Sequence, residues 1–162
     1  MQKKPDTRRV AADGSSLGNP GPGGWCFFVD LHSWAAGGVS SKVTNNQMEL
    51  TAVLMALKTL QTCDIEFVLD SQYVINCVTK WHYGWRKNNW RTSSGSPVTN
   101  SELIRDIINE TDARNKKGFS TTYTWVRGHA GDSLNEAADF RARAAAKKAS
   151  SSRTDHVIGP LS

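Results

Sequence analysis

At 162 residues the chain is long enough for one domain with a real core and leaves little for a second. Hydrophobic residues make up 38% and charged residues 22%, no apolar run approaches the ~20 residues of a membrane span, and the polar stretch 1–9 has no apolar core of a secretory signal. A strand-like pattern within about ten residues of the start also argues against a transit peptide. The net charge of +5, from 20 Lys and Arg against 15 Asp and Glu, tilts toward polyanionic partners. The three cysteines, Cys26, Cys63 and Cys77, match no zinc spacing and do not pair evenly, so they read as free thiols of a reducing cytosol.

Residues 10–13 read as a short strand, followed by a Gly- and Pro-rich turn over 14–24. Residues 25–31 are aromatic and β-branched, a second strand. Residues 33–42 form a weaker third, with Gly37-Gly38 marking a bulge or kink. Residues 48–61 are the clearest helix, because Leu50, Val53, Leu54, Leu57 and Leu60 share one face; Asn46 is its candidate N-cap, with Glu49 three residues on. Residues 65–69 are a strand ending at Asp70, and a helix follows with Val74, Cys77, Val78 and Trp81 on one stripe. Residues 101–115 and 134–148 read as helices and 121–126 as a fifth strand. The expected fold is α/β, a five-stranded mixed sheet of three antiparallel strands followed by parallel ones, flanked by helices. Residues 1–149 would be one catalytic domain and 150–162 a polar tail open to disorder.

Four acids stand at element ends: Asp13, Glu49, Asp70 and Asp139. Carboxylates gathered at the carboxyl ends of strands repel one another unless a cation neutralises them, and hard oxygen ligands favour Mg²⁺ or Mn²⁺. Each acid also has an ordinary reading: Asp13 as a turn residue, Glu49 as half of a capping box, Asp70 as a helix cap and Asp139 as a solvated helix residue. Spacing alone does not select these four from the 15 acids.

Joint motifs do select them. Asp13-Gly14-Ser15-Ser16-Leu17-Gly18-Asn19-Pro20-Gly21-Pro22-Gly23-Gly24, Asn45-Asn46-Gln47-Met48-Glu49-Leu50, Asp70-Ser71-Gln72-Tyr73-Val74, Trp125-Val126-Arg127-Gly128-His129-Ala130-Gly131 and Asn135-Glu136-Ala137-Ala138-Asp139 closely resemble the type 1 ribonuclease H family in its bacterial form, in order and spacing, over about residues 10–146. The resemblance implies two Mg²⁺ ions, with Mn²⁺ a possible substitute, held by Asp13, Glu49, Asp70 and Asp139, and an assisting histidine at His129. It implies hydrolysis of the RNA strand of RNA–DNA hybrids, leaving 5′-phosphate and 3′-hydroxyl ends, by a cytoplasmic monomer that needs no membrane. A non-catalytic hybrid- or double-stranded-RNA-binding module on the same fold is the alternative, and a DNA-cutting or strand-transferring relative is another.

Residues 71–101 hold no Asp or Glu but carry Lys80, Arg86, Lys87 and Arg91 among Trp81, Trp85 and Trp90. Basic groups meet phosphates and aromatic faces pack on sugars or bases, although the tryptophans also read as core and Trp81 as partly so. The segment resembles the basic handle with which many bacterial members grip the DNA strand. By the same resemblance Asn19, Asn46 and Gln72 read the 2′-hydroxyls, with Ser16 and Asn45 beside them, Thr44 and Asn100 seat a DNA phosphate, and Glu136 touches the RNA side. Asn100 reads equally as a helix cap. Two features depart from the family: Arg141 stands where an apolar residue is usual, and the small residues Val10-Ala11-Ala12 suggest a thinly packed core edge.

Overall fold

The structure, a computed structural model, describes residues 7–127 and 133–159. Strands β1 (Arg8–Ser16), β2 (Gly21–Asp30) and β3 (Ser33–Val43) lead into helix α1 (Asn45–Thr59) and strand β4 (Ile65–Leu69). Helix α2 (Gln72–Asn76), a π-helical turn over Cys77–Trp81 and helix α3 (His82–Lys87) come next, then α4 (Ser101–Lys116), β5 (Thr121–Trp125), α5 (Ser133–Ser152) and β6 (His156–Ile158). The sheet runs β5-β4-β1-β2-β3-β6. The β1–β2, β2–β3 and β3–β6 pairs are antiparallel, whereas β1–β4 and β4–β5 are parallel. The mixed sheet is the expected one, but it has a sixth strand.

Among the described residues of the 150–162 segment, α5 continues to Ser152, and His156–Ile158 pair with Ala36–Gly38. Asp155 Oδ1 accepts the Ser40 N–H at 2.8 Å and the Ser40 hydroxyl at 3.0 Å, fastening the segment from its other side. His156 lies with both ring nitrogens buried and without hydrogen-bond partners. Its pKa is held below the usual histidine value by burial and by Lys148, against the opposing pull of Asp155. A depressed histidine stabilises fully above its unfolded pKa, ~6.5, and that contribution is lost as pH falls below it. The protection factors of Ala36–Gly38, taken against the intrinsic exchange rate at each pH, are therefore expected to fall below about pH 6.5, and His156→Phe is expected to remove that fall.

Two layers of helix cover the sheet. On one face Val10, Ala12, Phe27, Phe67 and the buried face of α1 pack with Ile104, Ile107 and Ile108 of α4, each large side chain contributing ~1.5–3 kcal/mol when fully buried. On the other, Ala138 and Ala142 of α5 lie on Cys26, Phe28, Trp34 and Ala36. The small residues let helix and sheet approach closely: a Cβ on Gly24 would stand 2.1 Å from the Ala142 carbonyl oxygen. Arg141 neither reaches free into solvent nor disrupts this packing, since its guanidinium stacks 4.3 Å from the centroid of the Trp34 ring.

Several local expectations shift. The Val10-Ala11-Ala12 run lies in β1 at the centre of the sheet, and a small void of about 40 Å³ borders Ala11. The β2–β3 register runs unbroken through Gly37 and Gly38, its irregularities falling at Gly21/Gly23 and Phe28/Asp30. The Trp81 stripe breaks because the π turn takes one more residue per turn and rotates Trp81 off the core, leaving it 43% exposed.

Candidate active site

Register places the first two acids. The parallel β1–β4 ladder ends at Ala11↔Val68, so Asp13 and Asp70 each lie two residues past the same pair, at the carboxyl end of parallel strands. Asp13 does not end its strand, as the sequence suggests; β1 continues to Ser16 against β2 alone. Glu49 reaches the same point from α1 because Gly14 lies directly on that helix, where a Cβ would stand 2.2 Å from the Glu49 backbone nitrogen. One carboxylate oxygen from each of Asp13, Glu49 and Asp70 falls within 4.8 Å of the others.

Sequence reading places Asn46 at the N-cap of α1, but Thr44 holds it. The Thr44 hydroxyl accepts from Gln47 N–H at 3.1 Å, and Gln47 Oε1 accepts from Thr44 N–H at 2.8 Å. Glu49 is thus left free of capping. Ser71, which sequence reading passed over, caps α2 by accepting from Val74 N–H at 3.2 Å, and its hydroxyl draws the Glu49 pKa down. Its signal was its place directly after Asp70 at a helix start.

The cluster is under electrostatic stress. Burial, then Asp70 and Glu49, push the Asp13 pKa up to about 8, against the pull of the Gly14 N–H on Oδ1 at 2.8 Å; Asp139 adds to the rise. Burial, aided by Asp70 and opposed by the Ser71 hydroxyl, takes Glu49 up to about 7. Glu49 Oε2 is buried with no hydrogen-bond partner. Buried acids with an orphaned oxygen and hard donors fit a divalent cation. Asp139 is outside the close trio and ion-pairs with Arg143 one turn on, yet still acts on Asp13.

Raised acid pKa values give a definite sign. Both carboxyls ionise near pH 4 in the unfolded chain and near 7 to 8 in the folded one, so their stabilisation is full below about pH 4 and lost as pH rises through about 8. In the metal-free protein this contribution to thermal stability is expected to fall between about pH 5 and 8.5. Added Mg²⁺ is expected to raise the melting temperature most at the alkaline end and to release protons on binding, as scanning and titration calorimetry would show.

Three of the expected binding residues form one network. The Ser16 N–H and hydroxyl donate to Asn45 Oδ1 at 2.7 and 3.1 Å, the Ser16 hydroxyl also approaches Asn19 Oδ1 at 3.3 Å, and Asn45 N–H donates to Asn19 Oδ1 at 3.0 Å. Asn46 and Gln72 are exposed in the first turns of α1 and α2. Asn100 stands at the N-cap position of α4 with φ 63°, but its side chain makes no cap bond and donates to Tyr73 Oη at 3.1 Å.

The handle is an aromatic chain. Tyr73–Trp81, Trp81–Trp85 and Trp85–Trp90 have ring centroids 6.1, 6.0 and 6.2 Å apart. Trp85 and Trp90 are partly buried against the core, and Arg105 of α4 lies 5.0 Å from the Trp90 ring centroid. Arg86 leans toward Asp112 at 3.9 Å, while Lys87 is exposed at the end of α3. Glu136 is exposed in the first turn of α5, and His129 lies outside the described residues.

A mixed sheet of this order with acids gathered at the end of its parallel pair offers a site that could hold a divalent cation, and the comparisons give its family. The RNase H family pattern matches residues 6–147, and the chain belongs to that family of enzymes. It is 45% identical over 153 residues to the ribonuclease H of Tropheryma whipplei (strain Twist), covering 93% of this chain and 91% of that one. It is 43% identical over 162 aligned positions to the ribonuclease H of Anaeromyxobacter sp. (strain K), covering 93% and 85%. Among solved structures, LC9-RNase H1, described as a type 1 RNase H with the type 2 active-site motif, superposes with a TM-score of 0.69 at 25% identity, covering 98% of this chain and 80% of that one. LC11-RNase H1, solved with an RNA/DNA hybrid, superposes at 0.63 and 21% identity, covering 87% and 97%. Among the described residues no helix is long and apolar enough to cross a membrane.

Proposed function

We propose that the protein cuts the RNA strand of RNA–DNA hybrids with two Mg²⁺ ions, leaving 5′-phosphate and 3′-hydroxyl ends, and works as a monomer in the cytoplasm. The observation that carries this reading is the Asp13–Glu49–Asp70 trio, whose carboxylate oxygens lie within 4.8 Å of one another, with the pKa values of Asp13 and Glu49 pushed up by burial and by Asp70. Asp13, Glu49 and Asp70, with Asp139 from α5, would hold the ions. Bound there, the ions supply Lewis acidity at the scissile phosphate and a water of lowered pKa.

The chain's own residues do the rest. The Ser71 hydroxyl favours the ionised form of Glu49, and the Gly14 N–H orients Asp13. Asn19, Asn46 and Gln72, with Ser16 and Asn45, offer both donors and acceptors to 2′-hydroxyls, and the Ser16–Asn19–Asn45 network joins the turn after β1 to the start of α1. Thr44 and Asn100 would seat a DNA phosphate. Trp81, Trp85, Arg86, Lys87 and Trp90 would take the DNA strand, and His129 would relay a proton or assist product release.

The test incubates purified protein with labelled hybrid, duplex DNA and duplex RNA in Mg²⁺, Mn²⁺ or EDTA. Cutting confined to the RNA of the hybrid, and absent in EDTA, is the expected outcome. Cleavage that survives EDTA, or equal cutting of duplex DNA, would overturn it.

A further inference from the structure

An exposed indole stands beside the acid cluster and outside the tryptophan handle. Trp125 is the last residue of β5, paired with Leu69, and remains 46% exposed. Its Nε1 donates to the Asp70 backbone carbonyl at 3.1 Å, which pins the ring by its polar edge and leaves its face open. Trp81, Trp85 and Trp90 pack ring on ring, whereas Trp125 has no ring contact among the described residues. An aromatic face held rigid and open next to a phosphodiester-cutting site is a stacking platform.

The indole forms one wall of a cleft of about 290 Å³, completed by Gln72, Ile75, Asn76 and Lys80. Gln72, Asn76 and Lys80 recur every fourth residue along α2 and the π turn, a polar row facing the indole. Lys80 is the cleft's one charged lining residue, and it makes no salt bridge among the described residues. Its volume falls at the foot of the ~300–1,000 Å³ range of small-molecule pockets, which suits one unit of a longer chain better than a free ligand.

We propose that this cleft seats one nucleotide of the cleaved RNA strand next to the scissile position, its base or sugar on the Trp125 face and its phosphate on Lys80. Gln72 links the cleft to the strand that carries 2′-hydroxyls, because it lines the cleft and stands two residues from Asp70. The assignment rests on the hybrid-cutting reading above. It adds a grip on the RNA strand that the acids and the handle do not provide.

The experiment measures binding of a labelled hybrid, and of duplex DNA of the same sequence, in EDTA over a series of salt concentrations, for the wild type, Lys80→Gln, Trp125→Leu and Trp125→Phe. Lys80→Gln is expected to lower the slope of log affinity against log salt by about one for the hybrid, as one lost phosphate contact does. Trp125→Leu is expected to weaken hybrid binding about 5- to 150-fold, the range of one lost stack, and Trp125→Phe to recover much of it. Duplex DNA binding is expected to change little. Thermal melts check that Trp125→Leu is folded, and Lys80→Gln, an exposed change, tests the cleft if it is not. A wild-type salt slope in Lys80→Gln, wild-type hybrid affinity in folded Trp125→Leu, or equal losses on duplex DNA, overturns the subsite. A wild type that cuts no hybrid overturns the underlying reading instead.

Discussion

Asp70→Asn is expected to lower cleavage of the hybrid by roughly 10³-fold or more, on the scale of losing a preorganised electrostatic element, while leaving hybrid binding in EDTA measurable. Asp70 belongs to the close trio and is, after burial, the largest cause of the raised Asp13 pKa. Replacing it with a neutral isostere removes a metal ligand and lowers the pKa of both Asp13 and Glu49 toward ordinary values. The variant should therefore melt no lower than the wild type without metal, and should lose most of the stabilisation by Mg²⁺ at alkaline pH. Cleavage assays paired with melts in Mg²⁺ and EDTA read both effects. Wild-type cutting by this variant would show that the trio is not the metal site.

The largest stability effect is expected far from the chemistry, at Arg114→Met. Arg114 of α4 is only 3% exposed. Its guanidinium donates to the carbonyls of Leu60 and Cys63, and its Nε to Thr121 Oγ1 at 3.2 Å. One side chain thus joins the end of α1, the approach to β4 and the start of β5. Methionine fills similar space but leaves these acceptors buried without that donor, a cost of about 3–5 kcal/mol. At this chain length that lowers the melting temperature by roughly 10–15 °C. Arg114→Lys should recover only part, because one ammonium cannot reproduce the planar fork that serves two carbonyls. Urea or thermal unfolding gives the measurement, and hybrid cleavage well below the melting temperature should persist.

These two residues mark how far the sequence could be read. Asp70 was legible because it follows a short apolar strand and opens a motif whose neighbours all agree. The mixed sheet, α1 and α4 were legible from periodicity. Arg114 was not: on a helix rich in charge it reads as solvated, and its burial depends on acceptors more than fifty residues away in the chain. At the start of α1 the sequence points to Asn46 with Glu49, whereas the chain caps with Thr44 and Gln47. Only the fold shows that Glu49 is left for the site. The π turn left no local signal, because its extra residue changes the phase of a stripe without changing its composition. Strand β6 is three residues in a polar stretch, made a strand by the edge it meets.

That late strand also bears on how the chain is made. The second face of the sheet, with Cys26, Phe28, Trp34 and Ala36, is covered by α5, and the β3 edge is closed by β6, both from residues 133–158. On the ribosome β2 and β3 emerge early and wait for about a hundred further residues, at ~5–20 residues per second, before either cover exists. During that interval a nascent chain presents an aromatic sheet face beside an unpaired strand edge, the combination that invites misassociation. Chaperone capture should accordingly be strong for arrested nascent chains ending before Ser133 and weak for chains tethered through an added C-terminal linker long enough to bring Ile158 out of the exit tunnel.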